Sequence, residues 1–310
     1  MGTTIEVPFV RVVDGDTIRV EIDSGDGVTA EESLRILSLD TEESNAGGSK
    51  PVTPHGHAAK AEAESFFSGQ ASVVLEFPSD DPLDIALVKH RGNFGRLLVY
   101  VHRLDGVDFQ EHMIRSGFSP YFEKYGYAAS ESLHSLYLEA EREAQSNHAG
   151  IWDQIGVNGS EINNYGSLKT WWTLRAEVIQ DYRRRLANGA SILNTRLDYQ
   201  ALANLAEANE SATIFTEIRS LRRIGSNHMS ANIGSQSQPF QLFIRNFESD
   251  SGQEIVRLIE NRYLSSDLLH PRRSYAYASG PLKLFQGNPS LPPIVEMEIT
   301  STDQITDLPV

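Results

Sequence analysis

The chain has 310 residues, of which 40% are hydrophobic and 22% charged, with no cysteine and a formal net charge of −15 at pH 7. This length favours two domains over one enlarged core. The missing cysteines exclude disulfides, thiolate nucleophiles and Cys-ligated zinc, and no run approaches the roughly 18 apolar residues of a membrane span. The charge is unevenly spread: residues 1–155 hold 12 Lys and Arg against 26 Asp and Glu, a net of −14, and residues 156–310 a net of only −1. An acidic surface predicts loose, salt-sensitive contact with phosphate backbones, and it also offers hard oxygens to a cation. The first residues, Met1 to Val7, lack a basic stretch followed by an apolar one. A cytoplasmic protein is expected, or a secreted one if the sequence is a trimmed mature form.

In chain order, Val, Ile and Leu dominate Thr4 to Val20 and Ser33 to Asp40, which predicts short antiparallel strands, with Asp14-Gly15-Asp16 as a tight turn or bulge. Residues 44–55 are a loop, and the alanines of His57 to Phe67 predict a helix. Strands are expected again at Ala71 to Phe77, Asp84 to Lys89 and Arg96 to Arg103, and helices at Asp108 to Ser116 and Ser130 to Asn147, where Gly150 can act as a left-handed cap. The glycines after Trp152 predict a linker. Beyond it come helices over 167–187 and 197–224. Strands then follow from Phe240 at 241–247, 254–259, 273–278, 282–285 and 294–300.

Three short segments carry the chemistry: Val12-Val13-Asp14-Gly15-Asp16-Thr17-Ile18, Leu34-Arg35-Ile36-Leu37-Ser38-Leu39-Asp40-Thr41-Glu42-Glu43, and Asn93-Phe94-Gly95-Arg96-Leu97. Two carboxylates at strand ends, Asp16 and Asp40, are the oxygens that Ca²⁺ takes, with a backbone carbonyl such as that of Thr41 and waters to complete the shell. Phosphodiester cleavage also needs fixed positive charge on the equatorial oxygens. Arg35 and Arg96 supply it bidentately without risk of deprotonation. Glu43, three residues beyond Asp40, is placed to orient or deprotonate the attacking water.

In order and content these segments resemble the staphylococcal nuclease (thermonuclease) family. The resemblance runs from about Thr4 to Trp152 and includes Glu141-Arg142-Glu143-Ala144 and Gly150-Ile151-Trp152 at its end. It implies an OB-like five-stranded β-barrel with packed helices, and a Ca²⁺-dependent nuclease, Ca²⁺ being favoured over Mg²⁺ or Mn²⁺, that hydrolyses DNA, RNA or both and leaves 3′-phosphates. The family's metal ligands fall on Asp16, Asp40 and Thr41, its phosphate arginines on Arg35 and Arg96, and its general base on Glu43. Asp14 also matches and is expected to support the metal carboxylates. Phe94 stands where the best-known members carry a tyrosine, and Tyr121 and Tyr125 where they contact the nucleotide. Glu42 replaces the proline that commonly follows Asp-Thr, which adds charge and is expected to loosen the loop holding Glu43.

Each piece has a plainer reading. Asp-Gly-Asp is a common turn, an Arg-Asp pair a common surface contact, and the charged run 130–147 a solvated helix face. His57, His90 and His102 lack zinc-ligand spacing. Trp171-Trp172 reads as core ahead of a base-stacking platform, and Arg183-Arg184-Arg185, Arg222-Arg223 and Arg272-Arg273 as phosphate contacts or helix-end charges in equal measure.

The expectation is therefore an α+β protein. Residues 1–155 form the nuclease-like domain, and residues 156–310 a helical connector plus a second OB-like barrel. Its partners are DNA or RNA, single-stranded or flexible, with no membrane; the C-terminal half is expected to meet nucleic acid or a protein. The alternative is a catalytically inactive nuclease-like module that binds nucleic acid or a protein partner.

Overall fold

The computed structural model describes residues 2–23, 27–46, 52–92, 94–123, 130–153, 165–264, 272–287 and 289–309. It divides into two compact units, Met1–Trp172 and Thr173–Val310. The first therefore continues past residue 155, where the sequence suggests a boundary.

In the first unit, strands β1 (Thr4–Asp14), β2 (Thr17–Asp23) and β3 (Thr29–Ile36) form an antiparallel meander. Ile18, Val20 and Ile22 alternate inward along β2 and are fully buried, each contributing on the order of 1.5–3 kcal/mol. After helix α1 (Pro54–Phe66) come β4 (Ser72–Glu76), helix α2 (Leu83–Lys89) and β5 (Leu97–His102). Strand β5 runs parallel to β3 and antiparallel to β4, and β4 pairs with β1. The five strands thus close into a barrel in the order β1-β2-β3-β5-β4, which leaves no open edge. Leu97 to Val101 are buried without alternation, because helix α3 (Phe109–Arg115) packs on β5 and Tyr137 of helix α4 (Glu131–Ser146) meets Tyr100. Phe66, Phe67 and Phe109 join α1 and α3 through ring centroids 4.7–5.0 Å apart.

The second unit takes most of helix α5 (Tyr165–Ala187), which begins in the first. It continues with β6 (Leu193–Asn194), α6 (Tyr199–Glu207), β7 (Ser211–Glu217), β8 (Arg222–Ile224), β9 (His228–Asn232) and β10 (Phe240–Arg245). Helix α7 (Asp250–Leu258), β11 (Tyr275–Phe285), β12 (Ile294–Glu298) and β13 (Ile305–Thr306) complete it. The strands make one eight-stranded sheet of path β6-β7-β11-β12-β10-β9-β8, with β13 against β11. Tyr182 of α5, Phe215 and Tyr275 stack nearly parallel, with centroids 4.1 and 5.1 Å apart. Beside them the buried Arg175 donates to Glu217 and to the Tyr275 hydroxyl, both at 3.0 Å.

Several elements differ from the sequence expectation. Residues 84–89 are helix α2, not a strand: Ala86 and Leu87 are buried while Ile85 and Val88 face out, and Asp84 and Lys89 complement the helix ends. Residues 254–259 belong mostly to α7, whose N-cap Ser249 accepts from Gly252 N and whose Ile255 and Ile259 share one buried face. The helix expected over 197–224 ends at Asn209, in the left-handed region at φ 54°, and gives way to β7 and β8. These helices explain why the C-terminal strands form a mixed sheet where a second barrel was expected. Parallel pairs β6·β7 and β10·β12 require crossovers, and α6 and α7 lie within them.

The left-handed residue that closes α4 is His148, at φ 52°, and not Gly150 as expected; Gly150 also has φ 54°, and a Cβ there would lie 2.1 Å from the carbonyl oxygen of Gly117. Gly150→Ala is expected to destabilise the protein by about 1–3 kcal/mol in urea titration. An unchanged midpoint would show that the 117–150 approach can relax.

Candidate active site

The turn between β1 and β2 brings the first acidic residues together. A register shift between Val12 and Asp14 bends the end of β1, and Asp14 pairs with Thr17 across the turn. Asp14 is buried; its Oδ1 accepts from Gly15 N at 2.8 Å and its Oδ2 from Ser44 N at 3.3 Å. It therefore braces this turn against the loop after β3. Gly15 allows the approach, because a Cβ there would stand 2.8–3.0 Å from the Thr41 side chain and from Ala59.

Asp16 and Asp40 converge on one guanidinium. Arg35 Nη1 lies 2.5 Å from Asp16 Oδ2, and Arg35 Nη2 donates to Asp40 Oδ1 at 3.0 Å. The three side chains are 13%, 7% and 5% exposed, so the ions interact across a medium of low polarity. The other oxygens are held as well. Asp16 Oδ1 accepts from Thr17 Oγ1 at 2.9 Å, and Asp40 Oδ2 accepts from the indole Nε1 of Trp172 at 2.8 Å. The backbone N of Asp40 donates to Ser119 Oγ at 2.9 Å, and that hydroxyl donates to Pro120 O. Thr41, 2% exposed, follows directly.

Glu42 corrects an expectation. It does not loosen the loop; it is buried, and its Oε2 accepts from Thr53 Oγ1 at 2.5 Å. The same Thr53 hydroxyl accepts from Gly56 N and so caps α1, while Thr53 N donates to Glu43 O at 3.1 Å. Glu43 is thereby tethered through its backbone to the start of a helix. A Cβ at Gly56 would stand 2.1 Å from Glu43 O.

The remaining predicted residues are placed less uniformly. Arg96 immediately precedes β5, whose Leu97 pairs with Leu34, so it begins the strand beside Arg35. Phe94 is 78% exposed. Tyr121 is buried, its hydroxyl 2.8 Å from His134 Nδ1 and its ring against Tyr137. Tyr125 lies outside the described residues. The sequence reads Trp172 as core ahead of a base-stacking platform, not as a partner of Asp40. No local signal could have revealed its place, because 132 positions separate it from Asp40.

Two other acid groups have shifted affinities for protons. Burial pushes Glu141 up to about 7, against the lowering effect of Tyr121 N, which donates to its Oε1 at 2.9 Å. His102 resists its own burial: Glu76, 3.0 Å away, and Asp108, 3.5 Å away, raise it above its ordinary value.

The donor set fits a hard cation in its chemistry. Two buried carboxylates meet one guanidinium, with the Thr41 backbone adjacent. Among the described residues no group of three or more His, Cys, Asp or Glu could hold a metal, so protein ligands beyond Asp16 and Asp40 would have to be carbonyls, with water completing the shell. No helix of the described residues is long and apolar enough to cross a membrane.

The model of the family described as staphylococcal nuclease homologues matches residues 33–154. An uncharacterised protein of Bacillus anthracis is 28% identical over 166 residues, spanning 52% of this chain and 67% of the relative. An uncharacterised protein of Methanocaldococcus jannaschii is 25% identical over 162 residues, 46% of this chain and 70% of the relative.

Glu141 generates a prediction. Its folded-state affinity for protons exceeds the unfolded one, near 4.5, so between about pH 4.5 and 7 the native state keeps a proton that the unfolded state has lost. Its contribution to stability is complete below this window and falls as pH rises through it. Melting temperatures measured across the window should fall less steeply for Glu141→Gln than for the unsubstituted protein. Equal slopes would remove Glu141 from the account.

Proposed function

The chain carries a domain of the staphylococcal nuclease homologue family over residues 33–154, and from that premise we propose that its first unit is a cation-dependent phosphodiesterase hydrolysing DNA, RNA or both. The observation that carries this reading is the Arg35 guanidinium held between the buried carboxylates of Asp16 and Asp40. Buried charge of this kind is costly unless used or paired, and this set matches what phosphoryl chemistry requires.

In the proposed mechanism Asp16 and Asp40, with the Thr41 carbonyl, would hold the cation, Ca²⁺ by preference. When bound, that ion supplies positive charge to a phosphate oxygen. Glu43 takes a proton from water as the water attacks phosphorus in line with the leaving oxygen. Arg35, anchored by its two carboxylates, and Arg96, at the head of β5, meet the charge that builds on the equatorial oxygens. The P–O bond on the 5′ side breaks, the departing oxygen gains a proton from solvent, and a 3′-phosphate remains. Phe94 offers an exposed ring on which a base can stack. The net charge of −14 over residues 1–155 makes substrate association weak and strongly dependent on salt.

The test is cleavage of single-stranded and duplex DNA and of RNA at low salt, with Ca²⁺, Mg²⁺, Mn²⁺ or EDTA. The expected result is calcium-dependent cutting that Glu43→Ser and Arg96→Ala each reduce by about 10²–10⁴-fold. A protein that retards oligonucleotides on a gel yet cuts none with any cation would instead be a binding module.

A further inference from the structure

We infer that Trp172, which lies beyond the nuclease-homologue segment, is a positioning residue for the cation site, and that its indole N–H fixes the carboxylate of Asp40. The inference rests on the reading of Asp40 as a cation ligand. Its physical basis is the 2.8 Å hydrogen bond from Trp172 Nε1 to Asp40 Oδ2, between two buried residues, 6% and 3% exposed.

A carboxylate on one strand-end side chain can rotate about χ2, and a cation held by it gains from an arrangement fixed in advance. Asp40 is fixed at both oxygens: Arg35 Nη2 donates to Oδ1, and Trp172 Nε1 to Oδ2. The two donors differ in consequence. The guanidinium is a cation and competes electrostatically with a second cation. The indole is neutral and supplies a single directional donor, so it orients Oδ2 without opposing positive charge. An ionised carboxylate has about four acceptor positions, so an N–H donor and a cation can share one of its oxygens.

Burial adds to this. Indole shields Asp40 from water, which strengthens its attraction for a cation. Trp172 is held in turn by its neighbour. The Trp171 ring packs on Phe122 at 5.4 Å, and Phe122 N donates to Ser38 O, two residues before Asp40. Trp172 of α5 therefore meets the carboxylate from outside residues 33–154, the segment that matches the family. Partners of metal ligands at this remove commonly alter affinity by about 10–100-fold.

The experiment is calorimetric titration of the full chain with Ca²⁺, comparing the unsubstituted protein with Trp172→Phe, which keeps the ring and loses only the N–H, and with Trp171→Phe and Asp40→Asn. Circular dichroism and melting temperature establish that each variant is folded. The expected result is Ca²⁺ affinity weakened about 10–100-fold in Trp172→Phe, within about 3-fold of the original in Trp171→Phe, and lost in Asp40→Asn. Calcium should also shift the tryptophan emission of the unsubstituted protein and leave that of Trp172→Phe unmoved. A folded Trp172→Phe variant that binds Ca²⁺ as tightly as the original, or more tightly, overturns the inference while the cation reading of Asp40 stands. An unsubstituted protein that binds no Ca²⁺ removes that reading, and this inference with it.

Discussion

The guanidinium of Arg35 ties together parts of the first unit that are separate in sequence. It leaves β3 and reaches one nitrogen to Asp16, in the turn between β1 and β2, and the other to Asp40, in the loop beyond its own strand. All three side chains are nearly removed from water. Loss of one member of such a set leaves an uncompensated buried charge, which costs about 3–5 kcal/mol. In the proposed function a hard cation shares the two carboxylates with this guanidinium.

The surrounding structure serves that set. Gly15 lets the turn reach Thr41, Asp14 locks the turn to Ser44, and Ser119 fixes the backbone of Asp40. Glu42 and Thr53 attach the Glu43 loop to the N-terminus of α1. Glu141 of α4 secures Tyr121, two residues beyond Ser119. Closure of the barrel makes this arrangement rigid, since β3 and β5 set Arg35 and the start of the Arg96 strand side by side.

Much of this was legible in the amino-acid sequence because the signals are local. The alternation of Ile18, Val20 and Ile22 marks a half-buried strand, and Asp16, Arg35, Asp40 and Glu43 occur in the order of a known pattern. Short segments were misread. Leu83–Lys89 and Asp250–Leu258 are helices of seven and nine residues whose Ile and Val content resembles that of strands. Reading the second as a strand hid the helix in the crossover from β10 to β12, which is why a barrel was expected where the sheet is mixed. Glu42 was misjudged because a carboxylate in place of a proline suggests a looser backbone, whereas its partner Thr53 is eleven residues away. Trp172 was not legible at all as part of the site, because its meaning depends on tertiary structure alone.

The most direct test of the central claim is whether calcium stabilises the folded protein through Asp16 and Asp40. A ligand that binds only the folded state at about 100 times its Kd adds about 2.7 kcal/mol. Melting curves with calcium and with EDTA should differ for the unsubstituted chain and coincide for the chain carrying Asp16→Asn and Asp40→Asn together. Taking the shift within each protein cancels whatever the substitutions cost by themselves. An equal calcium shift in both proteins would place the ion elsewhere and contradict the account.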